Sequence, residues 1–232
     1  IVVLGDSTTA GNGVQDVDKT YTKVLEKLQN RASNTGIHHE VLNLGVGGYH
    51  TMQEVETLRV KGLKYKPDLV LLTFCVNDFN LHSDGGVYER LRKINQISVR
   101  NANSSLYQGV LRLSRLAFVV HHRLNSSKTK RDRWYSESVL KGQSPVKAGF
   151  ALLSELQQRH DFLALVVILP EFRAPFDQYR SSATHKRVFQ AAEGLPGITV
   201  IDLLEKFASL DVDAGKLSYD GWHMNEYGHQ TM

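Results

Sequence analysis

Five short apolar runs bounded by turn residues punctuate the chain: Ile1–Leu4, Val41–Leu44, Leu69–Phe74, Leu163–Leu169 and Ile198–Ile201. Their near-continuous Val, Ile and Leu content predicts strands covered on both faces, as the strands of parallel sheets are. Between them, apolar residues recur at helical spacing, with Tyr21, Val24, Leu25 and Leu28 forming one stripe and Ala148, Leu152, Leu153 and Leu156 another. Strand, helix and strand in alternation predict an α/β domain of three layers, α/β/α, around a parallel sheet of about five strands. Ligands of such sheets bind beyond the carboxyl ends of the strands, so the loops that follow the strands are the ones to read for chemistry.

The rhythm breaks between about Phe79 and Pro145, where no core strand is evident and Leu106, Val110, Leu113 and Ala117 have helical spacing. The expectation is a single domain over residues 1–232 with a helical insertion at about 80–145. Charge changes the picture of that insertion. Residues 89–147 carry 13 Lys and Arg against the three acids Glu89, Asp132 and Glu137, a local excess of +10 within a chain of net charge +4. Such a block fits an anionic contact or a solvated helical face. Its aromatics are sparse and no groove-reading motif accompanies them, which argues against specific nucleic-acid binding.

Composition narrows the classes further. One cysteine in 232 residues permits neither an internal disulfide nor a cysteine-based zinc site. No apolar run approaches the roughly 18 to 20 residues of a membrane-spanning helix. Ile1–Leu4 reads as a strand already under way, which leaves room for a trimmed signal or anchor and leaves localisation open.

Four blocks at strand ends carry candidate chemistry. Gly5-Asp6-Ser7 follows the first run and offers either an exposed nucleophile or a helix cap. After the second run, Gly45-Val46-Gly47-Gly48 can bring backbone N–H groups close to a group in the site, or can form a phosphate-binding turn or a plain tight turn. After the third run comes Asn77-Asp78, where an asparagine NH₂ can donate to a developing oxyanion and an aspartate cannot, with ordinary turn chemistry as the alternative. Near the end, Asp220-Gly221-Trp222-His223 supplies an imidazole base and a carboxylate to hold its tautomer.

In this order the blocks resemble the GDSL or SGNH hydrolase family, from residue 5 to about residue 229. The resemblance implies a flavodoxin-like fold and esterase or acylhydrolase activity, with Ser7 as nucleophile, His223 as general base and then acid, and Asp220 as the orienting carboxylate. It also implies an oxyanion hole from the Ser7 and Gly48 N–H groups and the Asn77 amide. Two positions depart from the frequent pattern. Cys75 stands where glycine often precedes the asparagine by two residues, and Ser7-Thr8-Thr9 replaces Ser-Leu or Ser-Ile, so the shape of the acyl pocket is left open.

The reaction expected is cleavage of a carboxylic ester, carbohydrate or lipid, through an acyl-enzyme on Ser7, with no cofactor and no metal. Two alternatives use the same chain: acyl transfer to a carbohydrate hydroxyl, and a non-catalytic module binding an anionic polymer. Oligomeric state is open. Of the other candidates, His229 reads as a packing or cap residue of a closing helix, and His50 as structural or in contact with substrate. His121-His122 reads as a polar helix face, and Cys75 as a buried, inert thiol. Leu106, Leu111, Leu113, Leu116 and Phe118 could line an acyl channel or dock the insertion. Asp211-Val212-Asp213-Ala214-Gly215 lacks the glutamate a calcium loop needs at its twelfth position, which here is Trp222.

Overall fold

The computed structural model describes residues 1–33, 36–79 and 145–232. The basic insertion expected at about 80–145, with His121-His122 and the leucines of the supposed acyl channel, lies outside the described residues. Five parallel strands form one sheet in the order β2-β1-β3-β4-β5: β1 is Val2–Leu4, β2 Leu42–Asn43, β3 Leu69–Cys75, β4 Leu163–Leu169 and β5 Ile198–Asp202. That order is the flavodoxin-like one, and it reverses direction beside β1, so the loops after β1 and β3 flank the crevice where such sheets bind ligands.

The register sorts the core into two faces. Val2 pairs with Val70, Leu72 with Val166, and Phe74 with Ile168, which places these even-numbered residues on one side and Val3, Leu71 and Val167 on the other. Against the first face pack α3 (Thr51–Thr57), the helix at residues 145–160 (α4) and α5 (Ser182–Ala192). There Phe74 meets Phe150 and Phe79 edge to face, with ring centroids 6.1 and 5.3 Å apart. The second face carries α2 (Tyr21–Ala32), α6 (Leu204–Ala208) and α7 (Glu226–Thr231), and Phe207 and Phe172 join the Val167 and Leu169 cluster there.

Three details differ from the periodicity. In α4 the buried face is Val146, Phe150, Leu153 and Leu156, while Ala148 points outward, because Phe150 docks on Phe74 and turns that face to the sheet. In α2, Leu28 is exposed, although it continues the stripe of Tyr21, Val24 and Leu25. β5 is covered on one face only: Ile198 and Val200 share the face of α5, whereas Thr199 and Ile201 face outward at the sheet's edge. No helix among the described residues is long and apolar enough to cross a membrane.

Candidate active site

The chain leaves β1 through Gly5 into a four-residue helix, α1 (Ser7–Ala10). Asp6 caps it, its Oδ1 accepting the Thr8 N–H at 2.9 Å, so the aspartate of this block is a helix cap and leaves the next residue at the strand's carboxyl end. Ser7 is only half-buried, and its Oγ lies 2.8 Å from His223 Nε2.

His223 arrives on a tight loop closed by the antiparallel bridge between Ser218 and Met224. Gly221 sits inside that loop at φ +84°, a left-handed conformation that other residues adopt at a cost. Asp220 then does two jobs. Its Oδ1 accepts the backbone N–H groups of Trp222 and His223 at 2.9 and 2.8 Å, and its Oδ2 meets His223 Nδ1 at 2.7 Å. Burial would raise this carboxyl, but the hydrogen bonds from His223 and Trp222 outweigh it and hold the group below its usual range. An ionised carboxylate only accepts, so His223 Nδ1 carries the proton and Nε2 is left to accept from Ser7. Tyr219 stacks on the His223 ring, centroids 5.6 Å apart and planes 19° off parallel.

The remaining blocks converge on the same turn. Asn77, in the 3₁₀ turn Val76–Phe79 after β3, donates one Nδ2 proton to Asp6 Oδ2 at 3.0 Å, and the second has no acceptor among the described residues. Gly47 lies against Ser7: a Cβ added at Gly47 would sit 3.7 Å from Ser7 Cβ. Gly48 follows at φ +80°. Among the described residues, neither the Ser7 nor the Gly48 N–H has an acceptor. All five residues singled out by the motifs thus lie on three neighbouring loops and the His223 turn.

Beneath the site is a group of buried acids. Asp78 Oδ2 accepts the Thr51 hydroxyl at 3.2 Å, tying the loop after β3 to the start of α3. Glu54, 2% exposed, has no hydrogen-bond partner for either oxygen among the described residues. Burial, with the charges of Asp78 and Asp6 beside it, holds the Glu54 carboxyl well above the usual range. Asp78 is raised in the same way by burial and by Asp6. Cys75, the last residue of β3, points its thiol at Asp6 Oδ1, 3.5 Å away. Burial, then the neighbouring carboxylates, pushes that thiol well above its ordinary value, so it is a neutral donor and a poor nucleophile.

Two other candidate histidines, His50 and His229, have structural partners. His50 is buried at the start of α3, where its N–H donates to Gln53 Oε1 at 3.3 Å. His229, on α7, accepts the Tyr21 N–H at Nδ1 and stacks on the Tyr21 ring. Asp213 Oδ1 accepts the Gly215 N–H, so the calcium-like string is a capped turn.

Sequence reasoning missed what lies beside the His223 turn. Phe172 donates its N–H to Gly221 O at 3.0 Å, and the Arg173 guanidinium lies 4.8 Å from the Trp222 ring centroid. Behind that loop runs a chain of contacts: Asp202 Oδ2 to His185 Nδ1 at 2.8 Å, His185 Nε2 to Tyr179 Oη at 2.7 Å, and the Glu171 N–H to Tyr179 Oη at 3.3 Å. These residues are scattered over 32 positions with no motif spacing, so only the fold brings them together.

The family model described as GDSL-like Lipase/Acylhydrolase family matches residues 3–231. Among solved structures, the acetyl xylan esterase AlAXEase superposes with a TM-score of 0.59 at 14% identity, over 99% of this chain and 93% of that one. A catalytic mutant of Axe2, an acetylxylan esterase from Geobacillus stearothermophilus, gives 0.58 at 16% identity, over 99% and 88%. The lipase/acylhydrolase from Enterococcus faecalis gives 0.55 at 17%, also over 99% and 88%. At such identities the likeness is one of fold. No curated protein matches the sequence.

Proposed function

The chain belongs to the GDSL-like lipase/acylhydrolase family and is a carboxylic ester hydrolase, and from that premise we propose that it cleaves its ester through an acyl-enzyme on Ser7. The observation that carries this reading is the unbroken chain from Asp220 Oδ2 through both nitrogens of His223 to Ser7 Oγ, at 2.7 and 2.8 Å.

In the proposed reaction, His223 Nε2 takes the Ser7 proton as Oγ attacks the acyl carbonyl, and the imidazolium that forms is stabilised by Asp220. Charge that develops on the carbonyl oxygen is met by the Ser7 and Gly48 N–H groups and by the second Asn77 Nδ2 proton, donors with no competing acceptor to give up. His223 then protonates the departing alcohol, and a water activated by the same nitrogen releases the acid. Asp6 positions Asn77 and caps α1, so one carboxylate aligns the nucleophile turn with an oxyanion donor.

Acetyl is the acyl group to test first, because two of the similar structures, AlAXEase and Axe2, are acetyl xylan esterases. On 4-nitrophenyl acetate, Ser7→Ala is expected to abolish turnover and labelling by a serine-directed phosphonate while the fold is kept. Undiminished hydrolysis by that variant would remove Ser7 from the mechanism. Supplying a sugar acceptor in the same assay separates hydrolysis from acyl transfer.

A further inference from the structure

The loop after β4 is irregular, yet side-chain contacts anchor it to α5 and β5. The Asp202, His185 and Tyr179 contacts hold it from behind, with His185 only 2% exposed, and Ser181 Oγ donates to the Glu171 carboxylate. From this base the loop presents two consecutive residues to the His223 turn: Phe172 through its N–H on Gly221 O, and Arg173 through its side chain on Trp222. The fit to Gly221 is close, since a Cβ there would come within 2.9 Å of Arg173 Cγ.

Arg173 itself is exposed and forms no ion pair or hydrogen bond among the described residues. The carboxylates of its own loop and of the His223 turn have other partners, Glu171 the Ser181 hydroxyl, and Asp220 the His223 ring and two backbone N–H groups. A guanidinium stacked on an indole keeps its edge N–H donors free, in the fork geometry that matches a carboxylate or phosphate. Its place is chemically specific, because in ester cleavage the base hands its proton to the leaving alcohol, so that alcohol passes beside His223.

We propose that Arg173, held on Trp222 beside the His223 turn, binds an oxyanion, carboxylate or phosphate, carried on the alcohol portion of the ester substrate. This rests on the Ser7 esterase reading above. The contact with Trp222 places the cation before substrate arrives, which lowers the ordering cost of binding.

The test uses the whole chain and aryl acetates that differ in the para substituent: 4-acetoxybenzamide as the neutral ester, 4-acetoxybenzoate as the carboxylate arm and 4-acetoxyphenyl phosphate as the phosphate arm. The readout is the kcat/KM ratio of anionic to neutral ester, compared between wild type and variant so that intrinsic leaving-group reactivity cancels. In Arg173→Gln that ratio is expected to fall roughly tenfold or more, mainly through KM, as for loss of a charge-assisted hydrogen bond. Arg173→Lys, which keeps the charge and loses the fork, is expected to fall between. A fall on one arm alone assigns the anion to that class. An unchanged ratio on both arms, in an enzyme that still needs Ser7, overturns the Arg173 proposal alone, and so does an equal loss on neutral and anionic esters. No hydrolysis by wild type, or hydrolysis undiminished in Ser7→Ala, overturns the esterase reading and this proposal with it.

Discussion

Asp220→Asn isolates the carboxylate's control of the imidazole from its control of the backbone. In the wild type, Oδ1 accepts the Trp222 and His223 N–H groups and Oδ2 faces His223 Nδ1. An asparagine can keep both backbone bonds only by placing its carbonyl oxygen where Oδ1 was. Its NH₂ then points at Nδ1 and donates, so Nδ1 gives up its proton and Nε2 carries it. A protonated Nε2 donates toward Ser7 Oγ and cannot act as its base. Turning the amide over would restore the tautomer but sets the NH₂ against two N–H donors. Losing two hydrogen bonds costs about 2 kcal/mol or more, which makes the competent rotamer at least ~30-fold the rarer. Loss of the charge that stabilises the imidazolium adds about 2 to 3 kcal/mol. Together these lower kcat by about 10³ to 10⁴-fold, as tautomer-reversing changes do in other triads. The assay is kcat on 4-nitrophenyl acetate, with the thermal midpoint measured alongside and expected to move little, because the backbone bonds survive. A folded Asp220→Asn enzyme that retains more than a tenth of wild-type kcat would refute the tautomer argument.

Two further substitutions test neighbouring parts of the reasoning. Asn77→Ala removes one oxyanion donor, and kcat is expected to fall about 10²-fold with KM little changed, since that contact forms as charge develops; an unaltered kcat takes Asn77 out of the site. Burial lowers His229 from its ordinary value of 6.5 to about 4. Its unfolded form therefore binds a proton that the folded form refuses, and stability is lost as pH falls from about 6.5 through about 4, by about 3 kcal/mol in all. His229→Gln keeps an acceptor for the Tyr21 N–H, and urea titrations at pH 7 and pH 4 should show it losing that much less than wild type over the interval; parallel losses would contradict the assignment.

The parts of the protein legible in one dimension are those held by local rules. Apolar runs of strand length, uninterrupted because parallel strands are covered on both faces, marked all five strands to within a residue or two of their observed ends. The exceptions lie at the sheet's edges, where β5 leaves Thr199 and Ile201 uncovered: a strand's place in the sheet depends on its neighbours and not on its own residues. Ser7, Gly48, Asn77, Asp220 and His223 were visible because each sits immediately after a strand or within a short turn, where a few adjacent residues set the backbone and aim the group. The Asp220 to His223 spacing is local in the same sense, since one turn supplies both the carboxylate and the imidazole it holds.

What needed the tertiary structure is whatever joins side chains from distant segments. That Asp6 caps α1 and also receives Asn77, 71 positions away, depends on β1 and β3 being adjacent. No pattern in the sequence sets Glu54 beside Asp78 and Asp6, and their raised pKa values exist only because packing has removed the water around them. The same holds for Arg173 on Trp222 and for the Asp202, His185 and Tyr179 chain behind it. The sequence by itself determined the sheet, the order of its loops and the chemical groups those loops carry, through hydrophobic period and turn chemistry. Only the tertiary structure decided which of those groups meet, which acids are stripped of solvent and which cation rests on Trp222, because burial and long-range contact are properties of the assembled layers.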